Sequence, residues 1–330
     1  MKFGIYAPIP MATVGSGEIV RAVAESKHPL PIGQRDVQFD FCEDILLTAD
    51  AVGFELVLFA ERHLGHDLSA WVLASALGSR FKHLRSLVAV HPGMWDPVMI
   101  AKIAASLDRV CLGRMAINIV NGWFDREFEM FGGKVLQGDD RYRRSTEFIE
   151  IIRGLWMNDT FSFEGRFYKL DQGQLLLRPA TAHPPELFSV STSDQGKDFV
   201  AQNCDWWFVE LPKSDTPDAC LREIEDSVAD MRLRAARSGR NVRFALNPFL
   251  ALGASDEDAY ETALESIYEF DPDRAEIRMI PATRAGCIGT AEKVRKQVAR
   301  FSDMGIELLL LKVIPTVPNL QRISTEIIKH

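Results

Sequence analysis

Two asparagines stand where a buried strand would hold only apolar side chains. Met115, Ala116, Ile117, Ile119 and Val120 form a short run rich in β-branched residues, interrupted by Asn118 and Asn121 and ended by Gly122-Trp123. A buried amide left unpaired costs roughly 1–3 kcal/mol, so each asparagine is expected to have a partner: a core neighbour, or a ligand at the strand's carboxyl end. His63 and His91 both follow predicted strands. Imidazole titrates near neutral pH, so either could polarise a substrate or move a proton; a packed, hydrogen-bonded loop histidine is the plainer alternative. Pro92-Gly93 directly follows His91 and fixes the backbone where it turns out of its strand. Arg141-Tyr142 opens one predicted helix and Ser193 another. Free N–H groups at a helix start, joined by a guanidinium and a hydroxyl, suit a phosphate, although an arginine in that position is commonly solvated surface.

The chain's own groups do not assemble a nucleophile. There is no Gly-x-Ser-x-Gly, no Walker loop and no Gly-x-Gly-x-x-Gly after a strand, which points to a borrowed cofactor for any difficult chemistry. The net charge of -8 is spread along the sequence without a run of five or six like charges, the opposite of a nucleic-acid footprint. Five cysteines, odd in number and without Cys-x-x-Cys or Cys/His spacing, fit a reduced, metal-free cytoplasmic protein. Met1–Pro8 is too short and too soon broken for the apolar region of a signal peptide, so none is expected, and no apolar window reaches membrane-spanning length.

The elements that must position these residues alternate almost from end to end. Strands are predicted at Phe3–Ala7, Leu56–Phe59, Ser86–Val90, Met115–Val120, Glu186–Val190, Trp206–Val209, Arg243–Leu250 and Glu307–Val313. Helices are predicted through Phe41 to Val52, ended by Gly53, and at Ser69–Ser79, Val98–Leu107, Arg143–Trp156, Asp194–Ala201, Asp218–Arg237, Asp256–Phe270 and Ala291–Met304, with a short one at the end. Eight strands with intervening helices, in a chain of 330 residues with 47% hydrophobic composition, predict one (β/α)8 TIM barrel spanning 1–330 as a single domain. Three segments break the alternation: Met11–Gln38, with a short helix around Glu18–Ala24; Phe124–Gly138, carrying Phe128 and Phe131; and Phe161–Arg178, read as a hairpin with a two-residue turn at Glu164-Gly165. Loops after barrel strands belong to the active-site face, so these are expected to roof a pocket with Trp71, Trp95 and Trp123 as wall candidates.

Asn118-Ile-Val-Asn-Gly-Trp-Phe-Asp-Arg-Glu-Phe128 resembles the signature of the luciferase-like, FMN-dependent monooxygenases, most closely the branch holding dimethyl sulfone, pyrimidine and alkanesulfonate monooxygenases. The resemblance continues in order through Ala60-Glu-Arg-His63, Pro92-Gly-Met-Trp95, Asp139-Asp-Arg-Tyr-Arg-Arg144, Phe161-Ser-Phe-Glu-Gly-Arg-Phe-Tyr168, Ser193-Asp194 and Ile288-Gly-Thr290, which covers most of the chain. It implies a two-component enzyme in which a separate NAD(P)H:flavin reductase supplies reduced FMN and O2 is the co-substrate. One oxygen would enter, or one bond be cleaved in, a small organic substrate, with C–S cleavage of a sulfone or sulfonate favoured over a heterocycle, amide or halogenated aromatic. The family's flavin contacts fall on positions matching Asn118, Glu127, Arg141, Tyr142 and Ser193, and more loosely Glu61 and Arg62. Where relatives commonly carry a glycine this chain has Ser191 or Thr192, whose hydroxyls would replace a close backbone approach. The stretch from Asp256 to Gly289 looks short of insertion, implying a small lid or one replaced by the Met11–Gln38 loop. A homodimer or homotetramer is expected. The rivals are a dehydrogenase using deazaflavin F420 on the same fold, and a non-catalytic flavin-binding protein.

Overall fold

The computed structural model describes residues 1–8, 30–63, 67–122, 125–212, 214, 216–270 and 275–330. Eight parallel strands close into a barrel: β1 (Lys2–Tyr6), β2 (Leu56–Phe59), β3 (Arg85–Val90), β4 (Met115–Ile119), β7 (Glu186–Val190), β8 (Trp206–Val209), β9 (Arg243–Leu246) and β12 (Ile306–Leu311). Strand β1 pairs with both β2 and β12, which removes the edges an open sheet would expose.

Each strand buries both faces, as the unbroken apolar runs require. Leu56, Leu58, Leu87, Ala116, Phe188, Trp206, Phe208, Ala245, Leu308 and Leu310 fill the barrel interior, with Phe188 and Trp206 stacked at 5.1 Å. The alternate residues, such as Val88, Ile117 and Leu309, pack outward against the helices. The amino-terminal end of the barrel is closed by charge. Glu186, first in β7, pairs with Arg85, first in β3, and with Arg243, first in β9; Arg243 also covers the Trp206 ring at 4.1 Å. The floor is thus plugged, and the opposite end is left for ligands.

The surrounding helices start where the sequence provides caps. Asp36 accepts from Gln38 N–H to begin α1 (Val37–Val52), and Gly53 ends it. Ser69 and Ser79 flank α2 (Ala70–Gly78), and Asp96-Pro97 begins α3 (Pro97–Val110). Next come α4 (Asp125–Met130), α5 (Asp139–Met157), α6 (Asp194–Asn203) and α7 (Pro217–Arg237).

Four expectations need correction. The strand expected over Arg243–Leu250 ends at Leu246, because Pro248 lacks the N–H that a central strand needs. The hairpin β5 (Phe161–Glu164) and β6 (Lys169–Gly173) pairs Glu164 with Lys169, so its turn is the four residues Gly165–Tyr168 rather than two. One carboxylate imposes that turn: Glu147 of α5 accepts from the N–H groups of Arg166, Phe167 and Tyr168 at 2.8–3.1 Å. The segment Asp125–Met130 is helical inside what reads as a loop. The stretch after α8 (Asp256–Phe270) holds a second helix, α9 (Ala275–Arg284), and a small sheet of β10 (Ala251–Leu252) with β11 (Ile288–Gly289). Pro281 inside α9 is the reason its sequence does not announce a helix. The chain closes through α10 (Ala291–Asp303), β12, α11 (Val317–Ile323) and a π-helical turn at Ser324–Ile328. The helix expected around Glu18–Ala24, and Trp123 and Phe124, lie outside the described residues.

Candidate active site

The carboxyl-terminal mouth of the barrel gathers the residues singled out above into two groups, with Asn118 on the wall between. Asn118 follows Ala116 by one pleat, so it points into the barrel one layer above the packed interior. It is 7% exposed, and its Oδ1 has no partner among the described residues. Both polar atoms of the Asn121 side chain are buried and likewise without a partner among the described residues. Buried polar atoms of this kind are normally hydrogen-bonded, so both side chains can receive a hydrogen-bonding ligand or water at the mouth.

The first group surrounds His91, which leaves β3 buried to 1% exposure. Its Nε2 lies 3.2 Å from the Glu61 carbonyl oxygen. A carbonyl only accepts, so Nε2 carries the proton and Nδ1, buried and unpartnered, is a bare acceptor. Burial, offset in part by that carbonyl, pulls the His91 pKa down to about 4, so the ring is neutral at neutral pH. His63 packs edge-on against it at 5.9 Å and against Phe131 at 5.6 Å. Its backbone N–H donates to Glu127 Oε1 at 3.0 Å, and burial lowers its own pKa. Trp95 and Trp71 continue the aromatic wall, ring to ring at 6.3 Å, with both indole N–H groups buried and unpaired.

Glu61 and Glu127 are buried among these rings, at 5% and 2% exposure. The Glu61 carboxylate accepts from Ala70 N–H and Ser69 Oγ at the start of α2. Burial nevertheless dominates and raises its pKa to about 7. Arg62 stands between Glu61 and His63 just past β2. The turn after His91 is held from outside: Gly93 has φ +94, and an added Cβ there would strike the Arg144 guanidinium. Arg144 lies over the Phe128 ring at 5.3 Å and donates to the Lys134 carbonyl.

The second group forms around one phenol. Tyr142, in the first turns of α5, lies with its hydroxyl 3.2 Å from Ser191 Oγ and 3.0 Å from Ser193 Oγ. Ser193 also caps α6 by accepting from Gly196 N–H. Arg141 lies 4.8 Å over the Tyr142 ring and donates to its hydroxyl, while its Nε is buried and unpartnered. Gly196 makes the clasp possible: a Cβ at this position would overlap Ser191 Oγ and sit 2.5 Å from the Tyr142 hydroxyl. The hydroxyl at Ser191 thus takes the space that a neighbouring glycine leaves. A guanidinium, three hydroxyls and the first turn of α6 stand together here, a donor set whose chemistry suits one phosphate group. Sequence reasoning missed Gly196 and Arg144, whose roles depend on contacts with distant segments.

The luciferase-like monooxygenase family model matches residues 1–308. The chain belongs to this family. It is 28% identical over 94% of its length to an FMNH(2)-dependent dimethylsulfone monooxygenase of Pseudomonas fluorescens (strain Pf0-1), covering 88% of that protein. Among solved structures, a monooxygenase from Streptomyces bottropensis superposes with a TM-score of 0.77 at 16% identity, covering 100% of this chain and 99% of the other. An F420-dependent secondary alcohol dehydrogenase superposes at 0.72 and 16% identity over 99% and 98% of the two chains. At those identities the superpositions establish the barrel, and the luciferase-like signature carries the family.

Proposed function

We propose that the protein, acting as one catalytic domain of 330 residues, is the oxygenating component of a two-component monooxygenase. It would take reduced FMN from a separate NAD(P)H:flavin reductase and use O2 to oxygenate or cleave a small organic substrate, with C–S cleavage of a sulfone or sulfonate favoured. The observation that carries the reading is the Tyr142 clasp. Arg141, Tyr142, Ser191 and Ser193 offer one phosphate site, and no Gly-x-Gly-x-x-Gly unit is present for an adenine half. The fit extends to the mouth, where Asn118 Oδ1 lacks a donor and a reduced isoalloxazine carries ring N–H groups. The dimethylsulfone enzyme to which the chain is similar is named for the same cofactor.

Bound reduced FMN supplies the two electrons with which O2 is activated; the chain's own residues hold and shield. Arg141 and the three hydroxyls bind the phosphate, and Asn118 orients the ring. Trp71, Trp95 and Phe131 keep the mouth dry. His91, neutral with a bare Nδ1, accepts a hydrogen bond and does not act as an imidazolium acid. His63 and Glu127 brace the loop beside it, with Glu61 and Arg62 next to them. Five buried free thiols support a cytoplasmic location. A homodimer or homotetramer belongs to the same reading.

The test is flavin titration by fluorescence quenching, followed by a substrate screen with reduced FMN and O2 read by mass spectrometry. FMN is expected to bind at least tenfold more tightly than FAD, and reduced FMN more tightly than oxidised. Equal affinity for FMN and FAD, or oxidation of an alcohol by F420 without O2, would overturn the assignment.

A further inference from the structure

The wall of the mouth opposite Asn118 carries a polar set outside the residues assigned above to the flavin. Around the closed barrel the strands run β1-β12-β9-β8-β7-β4-β3-β2. Strand β12 therefore lies across the mouth from β4 and its Asn118, β1 across from β7 and the serine clasp, and β9 across from β3 and His91. Counting by pleats from the packed interior, Leu310 leads to Lys312 on β12 and Ala245 leads to Asn247 on β9, while Tyr6 of β1 packs on the interior cluster itself. These three residues meet, although Tyr6 and Asn247 alone are 241 positions apart in the chain. Asn247 Nδ2 donates to the Tyr6 hydroxyl at 3.1 Å, and Lys312 Nζ stands 6.0 Å from the centre of the Tyr6 ring.

The donor direction matters. With Asn247 giving its proton to the phenol oxygen, the phenol's own hydrogen is left to offer elsewhere. Burial holds the Tyr6 pKa above its ordinary value, so that hydrogen stays in place. A phenolic O–H and an exposed ammonium thus stand together on one wall of the mouth, facing the wall that carries Asn118. A hydrogen-bond donor beside a cation is the recognition chemistry of an oxyanion.

We propose that Tyr6, Asn247 and Lys312 form a substrate subsite for an anionic oxo group, so that the preferred substrate is a small organic sulfonate, sulfinate or carboxylate and not a neutral sulfone. The inference deepens the oxygenase reading and rests on it for the position of the reacting centre. Lys312 and Tyr6 bind the substrate oxygens, and Asn247 is a positioning residue that aims the phenol. Methanesulfonate and dimethyl sulfone differ only by an oxyanion in place of a methyl group, so their affinities separate charge recognition from shape.

The experiment is calorimetric titration of the full-length protein with methanesulfonate, methanesulfinate, acetate and dimethyl sulfone, under anaerobic conditions, with and without reduced FMN. At least one anion is expected to bind tenfold or more tightly than dimethyl sulfone, and the best of the three names the oxo group. Lys312→Met is expected to weaken that anion about 10–100-fold, the range for a hydrogen bond to a charged group, while dimethyl sulfone stays within about twofold. Lys312→Arg is expected to restore part of the loss, and Tyr6→Phe, which keeps the ring packing, to weaken the anion by several-fold. FMN quenching in Lys312→Met is expected to match the parent. Equal or tighter binding of dimethyl sulfone in the parent, or unchanged anion affinity in both Lys312→Met and Tyr6→Phe, overturns the inference. So does a loss of FMN affinity in Lys312→Met with the anion unaffected. Absence of FMN quenching with anion binding intact would instead overturn the flavin reading and leave the subsite standing.

Discussion

Arg141 and Asn118 share one feature: each buries a polar atom that has no partner among the described residues. If the clasp holds a phosphate, Arg141→Ala removes a charge-assisted hydrogen bond, and FMN affinity is expected to fall by on the order of 1.5–3 kcal/mol. Asn118→Ala is expected to weaken reduced FMN while leaving the melting temperature at or above the parent's, because it also removes an unsatisfied amide. Fluorescence quenching and thermal melts check both, and unchanged affinity in the pair would mean that the motif is architectural. The two histidines are expected to separate. His91→Ala at saturating reduced flavin is expected to lower turnover ~10–100-fold, at or below the usual range for a proton-transfer group, whereas His63→Ala, which removes the ring packed against His91 and Phe131, is expected to act on flavin or substrate binding. The opposite pattern in single-turnover and binding measurements would exchange their roles.

Elements at the mouth are held by single side chains from other elements, so local sequence says little about them. The β5–β6 turn is the clearest case. Three of its N–H groups converge on Glu147, and Arg166 pairs with Asp140 on the same helix. Glu147→Ala leaves those donors without their acceptor, and a loss of about 1–3 kcal/mol is expected. Accelerated amide exchange at Arg166–Tyr168, with α5 still protected, is the reading that checks it. Protection unchanged across the turn would show that the hairpin stands on its own strand pairing. Gly196→Ala probes the other side. Its new methyl group must displace Ser191 or Tyr142, so flavin affinity is expected to fall while α6, which gains a better helix former, is retained by circular dichroism.

At the scale of the whole molecule, the buried pair at the mouth shapes the pH dependence of stability. Glu61 is raised from an ordinary value of 4.5 to about 7, so its contribution is fully present below about pH 4.5 and is lost as pH rises through about 7. His91 is lowered from 6.5 to about 4, so its contribution is present above about pH 6.5 and is lost as pH falls through about 4. Each displacement is worth on the order of 3 kcal/mol at full extent, and between roughly pH 4.5 and 6.5 the two slopes oppose each other. The parent is therefore expected to show a shallow profile in urea denaturation. Glu61→Gln is expected to unmask a rise in stability from about pH 4 to 6.5, and His91→Asn a fall from about pH 4.5 to 7. Profiles parallel to the parent in both variants would show that neither group is linked to folding.

The alternation of short apolar strands with longer runs of helical apolar spacing is enough to read the barrel from the sequence, because both signals are local and need only a few neighbours. The same locality made Arg141, Tyr142 and Ser193 legible as helix-start residues, and Asn118 as an amide in the wrong surroundings. What no local pattern carries is closure. Ring order brings β12 opposite β4, and only then do Lys312, Asn247 and Tyr6 stand together across from Asn118. The turn of the β5–β6 hairpin, the crowding at Gly196 and the opposed titrations of Glu61 and His91 likewise arise from burial and contact between segments far apart in the chain. Desolvation is a property of the assembled neighbourhood and not of a residue type, so the charge states at this mouth were decided by the tertiary structure alone.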